Sequence, residues 1–379
     1  MRVAVDCRLL GAPRAGSAYY TLGLLHGLAA VNDGSEYLLL CPRDLAGLGL
    51  PPASFKPVEI TEAGLCDPSW EQLHLPAELR RTATDVYFAP TSVLPMLRSC
   101  PRAVVVYDLG FLHHPEFYDP ALRSYLRQWV PPSARGADAV VCLSRFVADD
   151  LQSTLGVPPE RIRIISGAAG PRFHAISGDP ARDTRIQAVR RRYGLTGPFV
   201  LSVAGLERNK NLPRLIAAFA LARVTADKEW RLVLSGRPGG AERELYQAIA
   251  RHGLQDRVVL TGFVPDDDLP ALYAAADVFA FVSLFEGFGL PPIEAMASGT
   301  AVLASNATSL PEVVGNAGLL VDPLEVEAIA EGLTRLMGDD ALRASLAAKG
   351  PLQARRFSWQ DSARVILSLL RRVVLNNRV

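Results

Sequence analysis

Short apolar runs alternate along this chain with longer stretches in which apolar residues recur every third or fourth position. A first series of runs falls at 3–5, 37–40, 85–88, 103–107, 139–143 and 162–165. Each has the length of a strand and the stretches between them carry a helical period, so the pattern predicts βα units around a parallel sheet. A second series falls at 199–203, 231–234, 257–260, 278–282, 301–304 and 319–321. The chain is therefore expected to be α/β, with two doubly wound, Rossmann-like domains facing a cleft. Residues 167–185 between the series are rich in Gly, Pro and polar side chains and are broken by Gly170-Pro171 and Asp179-Pro180, so the hinge is placed there. This gives domains 1–170 and 171–357. A last helix is expected over 358–375, with Ser358 at its start and a stripe of Ala363, Ile366, Leu367 and Leu370.

Composition narrows the function classes. A length of 379 residues with 49% hydrophobic content suits two cores rather than one. The net charge of +1 excludes a general nucleic-acid binder, which carries a basic excess. Cys7, Cys41, Cys66, Cys100 and Cys142 are odd in number, scattered and without a C-x-x-C pair, so they read as buried free thiols. The opening MRVAVD reads as a strand rather than a leader, giving a cytoplasmic expectation. The most apolar long window, 269–285, carries Asp277 and falls short of a membrane span. The basic end of the last helix, LLRRVV at 369–374, reads first as packing onto the first domain and second as weak peripheral contact with an anionic membrane face.

Ligands of open α/β sheets sit beyond the carboxyl ends of the strands, so the loops of the second series are where polar groups matter. After 199–203 comes AGLERNKN, in which Arg208 and Lys210 lead into a helix over 212–222. The two cations read equally as a diphosphate clamp at a positive helix end or as solvated loop charges. After 278–282 comes EGFGLPPIE at 286–294. Gly287 and Gly289 permit close backbone approach to a ligand, Pro291 and Pro292 suit a first helical turn, and Glu286 in the loop and Glu294 in the helix's opening turn can accept sugar or ribose hydroxyls. The third loop, SNATSLPE at 305–312, offers hydroxyls for a sugar or phosphate, or a capped turn.

These residues resemble a known family. RNKNLPRL at 208–215, LTGFV at 260–264, the 286–294 block and SLPE at 309–312 are similar to family 4 of the retaining glycosyltransferases. In the first domain, DCRL at 6–9, WEQ at 70–72, Asp108-Leu109 and ADAVVCLS at 137–144 resemble the branch with bacterial surface-polysaccharide mannosyltransferases. The resemblance implies the GT-B architecture, with the acceptor largely on the first domain, the nucleotide on the second and the last helix crossing back to the first. It implies that Glu294 takes the ribose hydroxyls, Lys210 the diphosphate, with Arg208 as a displaced substitute for the Arg that relatives often carry at 209, and Val264 a place beside the base. Glu286 and the amides from Gly287, Phe288, Gly289 and Leu290 would hold the transferred sugar, and Gly16, in the loop before the first helix, would approach the diphosphate from the opposite domain. By the same resemblance Asp108 would be catalytic, in a pair that in many relatives is His-Asp and here is Tyr107-Asp108. Asn209 and Tyr19 stand where relatives often carry Arg.

Other signals are read structurally. Asp266, Asp267 and Asp268 precede the helix over 269–275, where carboxylates cap amides, rather than forming a metal motif. His113 and His114 read as an exposed loop pair, and Ser144 as a helix cap rather than a nucleophile. The expected reaction is retaining transfer of a hexose from a nucleoside-diphosphate sugar (GDP- or UDP-linked) to a glycan or lipid-linked sugar, with no metal and no cofactor beyond the donor. The alternatives are a sugar-nucleotide epimerase of the same fold and a non-catalytic partner that binds a sugar nucleotide.

Overall fold

The computed structural model describes residues 1–11, 16–41, 48–60, 64–175 and 183–377, without the side chain of Thr225. The Asp179-Pro180 break lies outside the described residues. Two compact units form, one of Met1–Ala168 with Ser358–Val379 and one of Ala169–Phe357.

The first unit is built on strands β1 (Arg2–Asp6), β2 (Glu36–Cys41), β3 (Phe55–Glu59), β4 (Val86–Ala89), β5 (Arg102–Val105), β6 (Ala139–Cys142) and β7 (Ile162–Ile164). They pair in the order β3-β2-β1-β4-β5-β6-β7, with every pairing parallel. Such strands are covered on both faces, which is why they read as apolar runs rather than alternations. β3 has no such run. It lies at the sheet edge, pairs only with β2 and carries exposed Lys56 and Pro57, a residue that edge strands tolerate. β5 stops at Val105, short of the expected 107, so Tyr107 and Asp108 belong to the loop that follows it.

The last helix spans Trp359–Asn376, capped by the Ser358 hydroxyl, which accepts from the Asp361 amide. Its apolar stripe packs in the first unit against the helix Gly16–Val31. The approach is close enough that a Cβ on Gly27 would lie 2.2 Å from the Trp359 carbonyl oxygen. Among the described residues, no helix is long and apolar enough to cross a membrane. Cys7, Cys41 and Cys142 are buried as expected, but Cys66 is exposed, in a turn where its φ is +59°.

The second unit carries β8 (Phe199–Val203), β9 (Arg231–Ser235), β10 (Val258–Gly262), β11 (Val278–Phe281), β12 (Ala301–Ser305) and β13 (Gly318–Val321), ordered β10-β9-β8-β11-β12-β13. Its core joins Val200, Leu232, Ala280 and Leu303 of the sheet to Leu215 and Phe219 of helix Leu212–Ala222 and Leu333 of helix Val326–Gly338. The second unit's helix Thr184–Arg192 opens inside the stretch expected to be hinge, because the Asp183 carboxylate caps its first amides. The strand order reverses between β8 and β11. A sheet of this kind leaves a crevice at that switch point, so the loops after β8 and β11 are the ones a ligand meets.

Candidate functional site

Those two loops are locked together. The Leu284 amide donates to the Asn209 carbonyl at 2.7 Å, and the Asn209 side chain returns a bond to the Phe285 carbonyl at 3.2 Å. Asn211, buried and in a left-handed turn (φ +59°), donates to the carbonyls of Val282 and Pro323. This staple ends a short 3-10 turn, Arg208–Lys210, and aims Lys210 across the switch point, where Nζ lies 2.7 Å from Glu286 Oε1. Both side chains are largely enclosed, at 16% and 13% exposure, so the pair is poorly screened. Arg208 is not brought to this pair: it is more exposed and donates to Glu244 at 3.2 Å.

Gly289 takes φ +108° immediately before helix Leu290–Ala297, and a Cβ there would meet Leu310 Cδ2 at 2.7 Å. Gly287 does not adopt positive φ. Pro291 and Pro292 occupy the first turn as expected, but Glu294 lies one turn further in, because the helix begins at Leu290. The third loop braces this one. Ser309 Oγ donates to the carbonyls of Glu286 (3.0 Å) and Phe288 (2.8 Å), while Thr308 Oγ1 accepts from the Glu286 amide (3.2 Å). These hydroxyls support the loop, and Ser309 does not cap its own helix. Phe288 is buried, edge-on to Phe357 at 5.6 Å. Gly289→Ala is expected to cost about 1–3 kcal/mol through backbone strain. Chemical denaturation checks this: an unchanged midpoint contradicts the strain.

Glu294 Oε2 accepts from the Tyr273 hydroxyl at 2.9 Å. Burial pushes its carboxyl up to about 7, against the opposing pull of that hydrogen bond and of Arg172. Tyr273 packs edge-on to Phe173 at 5.7 Å, so the segment entering the second unit walls the carboxylate. Arg172 also donates to the Asp266 carbonyl at 3.1 Å, and Asp266 follows buried Val264 by two residues. The expected ribose-side carboxylate thus lies near the segment that follows the expected base-side residue. The acidic run does not cap its helix: Asp268 makes no side-chain cap bond and instead receives Arg192 (2.7 Å) and Tyr193 (3.2 Å). Among the described residues, no cluster of His, Cys, Asp and Glu is suited to a metal ion.

In the first unit, Asp108 accepts from the Gly110 amide (2.8 Å) and the Tyr118 hydroxyl (3.2 Å). Tyr107 donates to the Ser17 carbonyl at 3.3 Å and meets Tyr20 edge-on at 5.8 Å. Gly16 is exposed and opens helix Gly16–Val31 rather than preceding it, with no atom within 4 Å of where a Cβ would sit. At the end of β1 the motif at 6–9 meets the one at 70–72, which forms a helical turn over Trp70–His74. Arg8 bonds Asp6 (2.8 Å) and Glu71 (3.0 Å) while its guanidinium lies 4.5 Å over the Trp70 ring, and Tyr125 donates to Glu71 at 2.6 Å. His113 pairs with Asp150 (2.8 Å), His114 with Glu116 (3.3 Å), and Ser144 caps its helix at the Val147 amide.

Residues 186–353 match the family described as glycosyl transferases group 1, and residues 14–168 match glycosyltransferase family 4. The chain is 34% identical over 278 residues to O-antigen chain mannosyltransferase B of Escherichia coli, covering 73% of this chain and 71% of that relative. It is also 34% identical over 278 residues to serotype-specific mannosyltransferase WbdA of the same organism, of which it spans only 34%. Among solved structures, sucrose-phosphate synthase of Thermosynechococcus elongatus superposes with TM-score 0.79 at 20% identity, covering 99% of each chain. Anabaena HepE, solved with UDP-glucose, gives 0.76 at 22% identity, covering 98% of this chain and 99% of its own. These two likenesses establish the GT-B architecture. The chain belongs to the group 1, family 4 glycosyltransferases.

Proposed function

We propose that this glycosyltransferase moves a hexose, mannose by the names of its relatives, from a nucleoside-diphosphate sugar to a hydroxyl of a glycan or lipid-linked sugar, with retention at the anomeric carbon. The observation that carries the reading is the enclosed Lys210–Glu286 pair at the switch point of the second sheet. Lys210 would neutralise the departing diphosphate, helped by the amides from Gly287 to Leu290, and Glu286 would accept hydroxyls of the transferred sugar rather than act as a base. The acceptor oxygen bonds to the anomeric carbon on the face the diphosphate leaves. The acceptor proton passes to the departing phosphate oxygen, so the products are the glycoside and a free nucleoside diphosphate. Charge neutralisation falls to Lys210 and the loop amides, not to a metal ion. Asp108, Gly16 and Arg208 keep supporting roles in this reading.

Release of nucleoside diphosphate from a donor sugar, measured with and without glycan acceptors, tests it. Release that depends on acceptor supports transfer, whereas interconversion of the donor sugar without release would support an epimerase. Binding without turnover across a broad acceptor set would support a regulatory partner.

Ribose hydroxyls donate, so only ionised Glu294 accepts from both. With the carboxyl pushed up to about 7, donor affinity should strengthen as pH rises through 7, with release of a proton. Without donor the sign reverses for stability. The folded state holds that proton more tightly than the unfolded chain, so the contribution of Glu294 declines as pH rises from 4.5 towards about 7. Calorimetric titrations at several pH values check this, and Glu294→Gln should remove this component while leaving the titration of the diphosphate itself.

A further inference from the structure

Among the described residues of the second unit, buried side-chain atoms of Arg237, Ser283 and Ser298 lack a protein partner, and Arg237 alone of the three carries a charge. Arg237 follows β9, and its Nε is buried with no hydrogen-bond acceptor among the described residues. Its guanidinium carbon lies 3.9 Å from the centre of the Phe263 ring, a separation that fits face-to-face stacking. Phe263 is itself unusual: a large aromatic, 46% exposed, in the loop after β10 and adjacent to buried Val264. The main chain of Arg237 is fixed independently of the side chain, since its carbonyl accepts from the Leu206 amide at 2.8 Å and Pro238 bridges to Leu206. Leu206 belongs to the loop that carries Lys210. Arg237 therefore stands between the loop read as holding the diphosphate and the loop read as flanking the base.

A guanidinium held flat on a ring keeps its remaining N–H groups in one plane, pointing outward in parallel. The ligand edge that matches two parallel donors has two adjacent acceptors. Guanine presents such an edge with O6 and N7. Adenine offers one acceptor beside a donor, and uracil offers a single O4 flanked by N3–H and C5–H. We propose that Arg237, stacked on Phe263, reads the base of the donor and makes this enzyme selective for a guanosine-diphosphate sugar. The proposal rests on the donor-site reading above and deepens it by naming the base. It makes Arg237 a specificity residue that touches the base and leaves the diphosphate to Lys210.

The test is calorimetric titration of GDP, UDP and ADP into the full chain, the Arg237→Ala and Arg237→Lys variants, and Glu294→Ala as a reference for the ribose contact, each first shown to melt as the parent does. The expected result is tightest binding of GDP to the parent. Arg237→Ala should weaken GDP by roughly 10- to 100-fold and UDP or ADP by less than about threefold, with Arg237→Lys failing to restore the preference, because an ammonium cannot present parallel donors. An equal loss for all three nucleotides would overturn the proposal by making Arg237 a phosphate ligand, and so would no loss at all, or a parent that prefers UDP or ADP. In these cases a loss of nucleotide binding in Glu294→Ala would leave the donor site standing. A parent that binds none of the three would overturn the donor-site reading and this inference together.

Discussion

Lys210→Ala is expected to lower turnover by roughly 10²–10³-fold, the loss typical when one preorganised donor to a developing negative charge is removed. The size follows from where the ammonium sits. Lys210 is held 2.7 Å from Glu286 in surroundings that leave each side chain less than one-fifth exposed. Little solvent reorganises when charge appears on the departing phosphate. The substitution has a second effect, because it leaves Glu286 as an unpaired carboxylate beside an anionic donor and so weakens donor binding as well. The two effects separate in a double-mutant cycle. If Lys210 served only to neutralise Glu286, Glu286→Gln in the Lys210→Ala background would restore turnover. The double variant is expected to recover affinity but not turnover, measured as kcat at saturating donor.

Glu294→Ala should behave differently. Removing a charge-assisted contact costs about 1.5–3 kcal/mol, so the donor KM and the dissociation constant of the nucleoside diphosphate should rise about 10- to 150-fold. kcat should change far less, since the ribose hydroxyls are bound alike in the ground state and the transition state. The geometry of the neighbours predicts a graded companion effect. Tyr273→Phe removes the 2.9 Å hydrogen bond to Glu294 but keeps the edge-on packing against Phe173, so its loss of affinity should be smaller than that of Glu294→Ala. A kcat defect in Glu294→Ala equal to that of Lys210→Ala would contradict the division of labour.

Much of the architecture was legible because parallel strands buried on both faces leave apolar runs in the sequence, and twelve of the thirteen strands among the described residues carry one. The exception, β3, is an edge strand with Lys56 and Pro57, where one-sided pairing removes the need for apolar residues. Within the site, local chemistry carried the signal. The glycines and prolines of 286–294 identify a loop that turns sharply into a helix, and Gly289 and the first-turn prolines lie there. What sequence could not show is pairing across the fold. Tyr273 reaches Glu294 from 21 residues away, Ser309 and Thr308 brace Glu286 from the next βα loop, and Asn211 ties its own loop to Val282 and Pro323. The acidic run 266–268 misled for a related reason: its local context suggests caps, while Arg172 and Arg192, distant in sequence, claim two of the carboxylates. In the first unit, Tyr107 looks in sequence like a lost histidine. In the structure its hydroxyl is spent on the Ser17 carbonyl, one residue from Gly16, which ties the loop after β5 to the start of helix Gly16–Val31.

On this reading a nucleoside-diphosphate sugar binds at the switch point of the second sheet. The most direct test is a crystal structure of the protein with a nucleoside-diphosphate sugar bound. The ribose hydroxyls are expected within hydrogen-bond distance of Glu294, the diphosphate on Lys210 and the sugar hydroxyls on Glu286. A nucleotide seated at the carboxyl end of the first unit's sheet, with Lys210 still paired to Glu286 and Glu294 still bonded only to Tyr273, would contradict it.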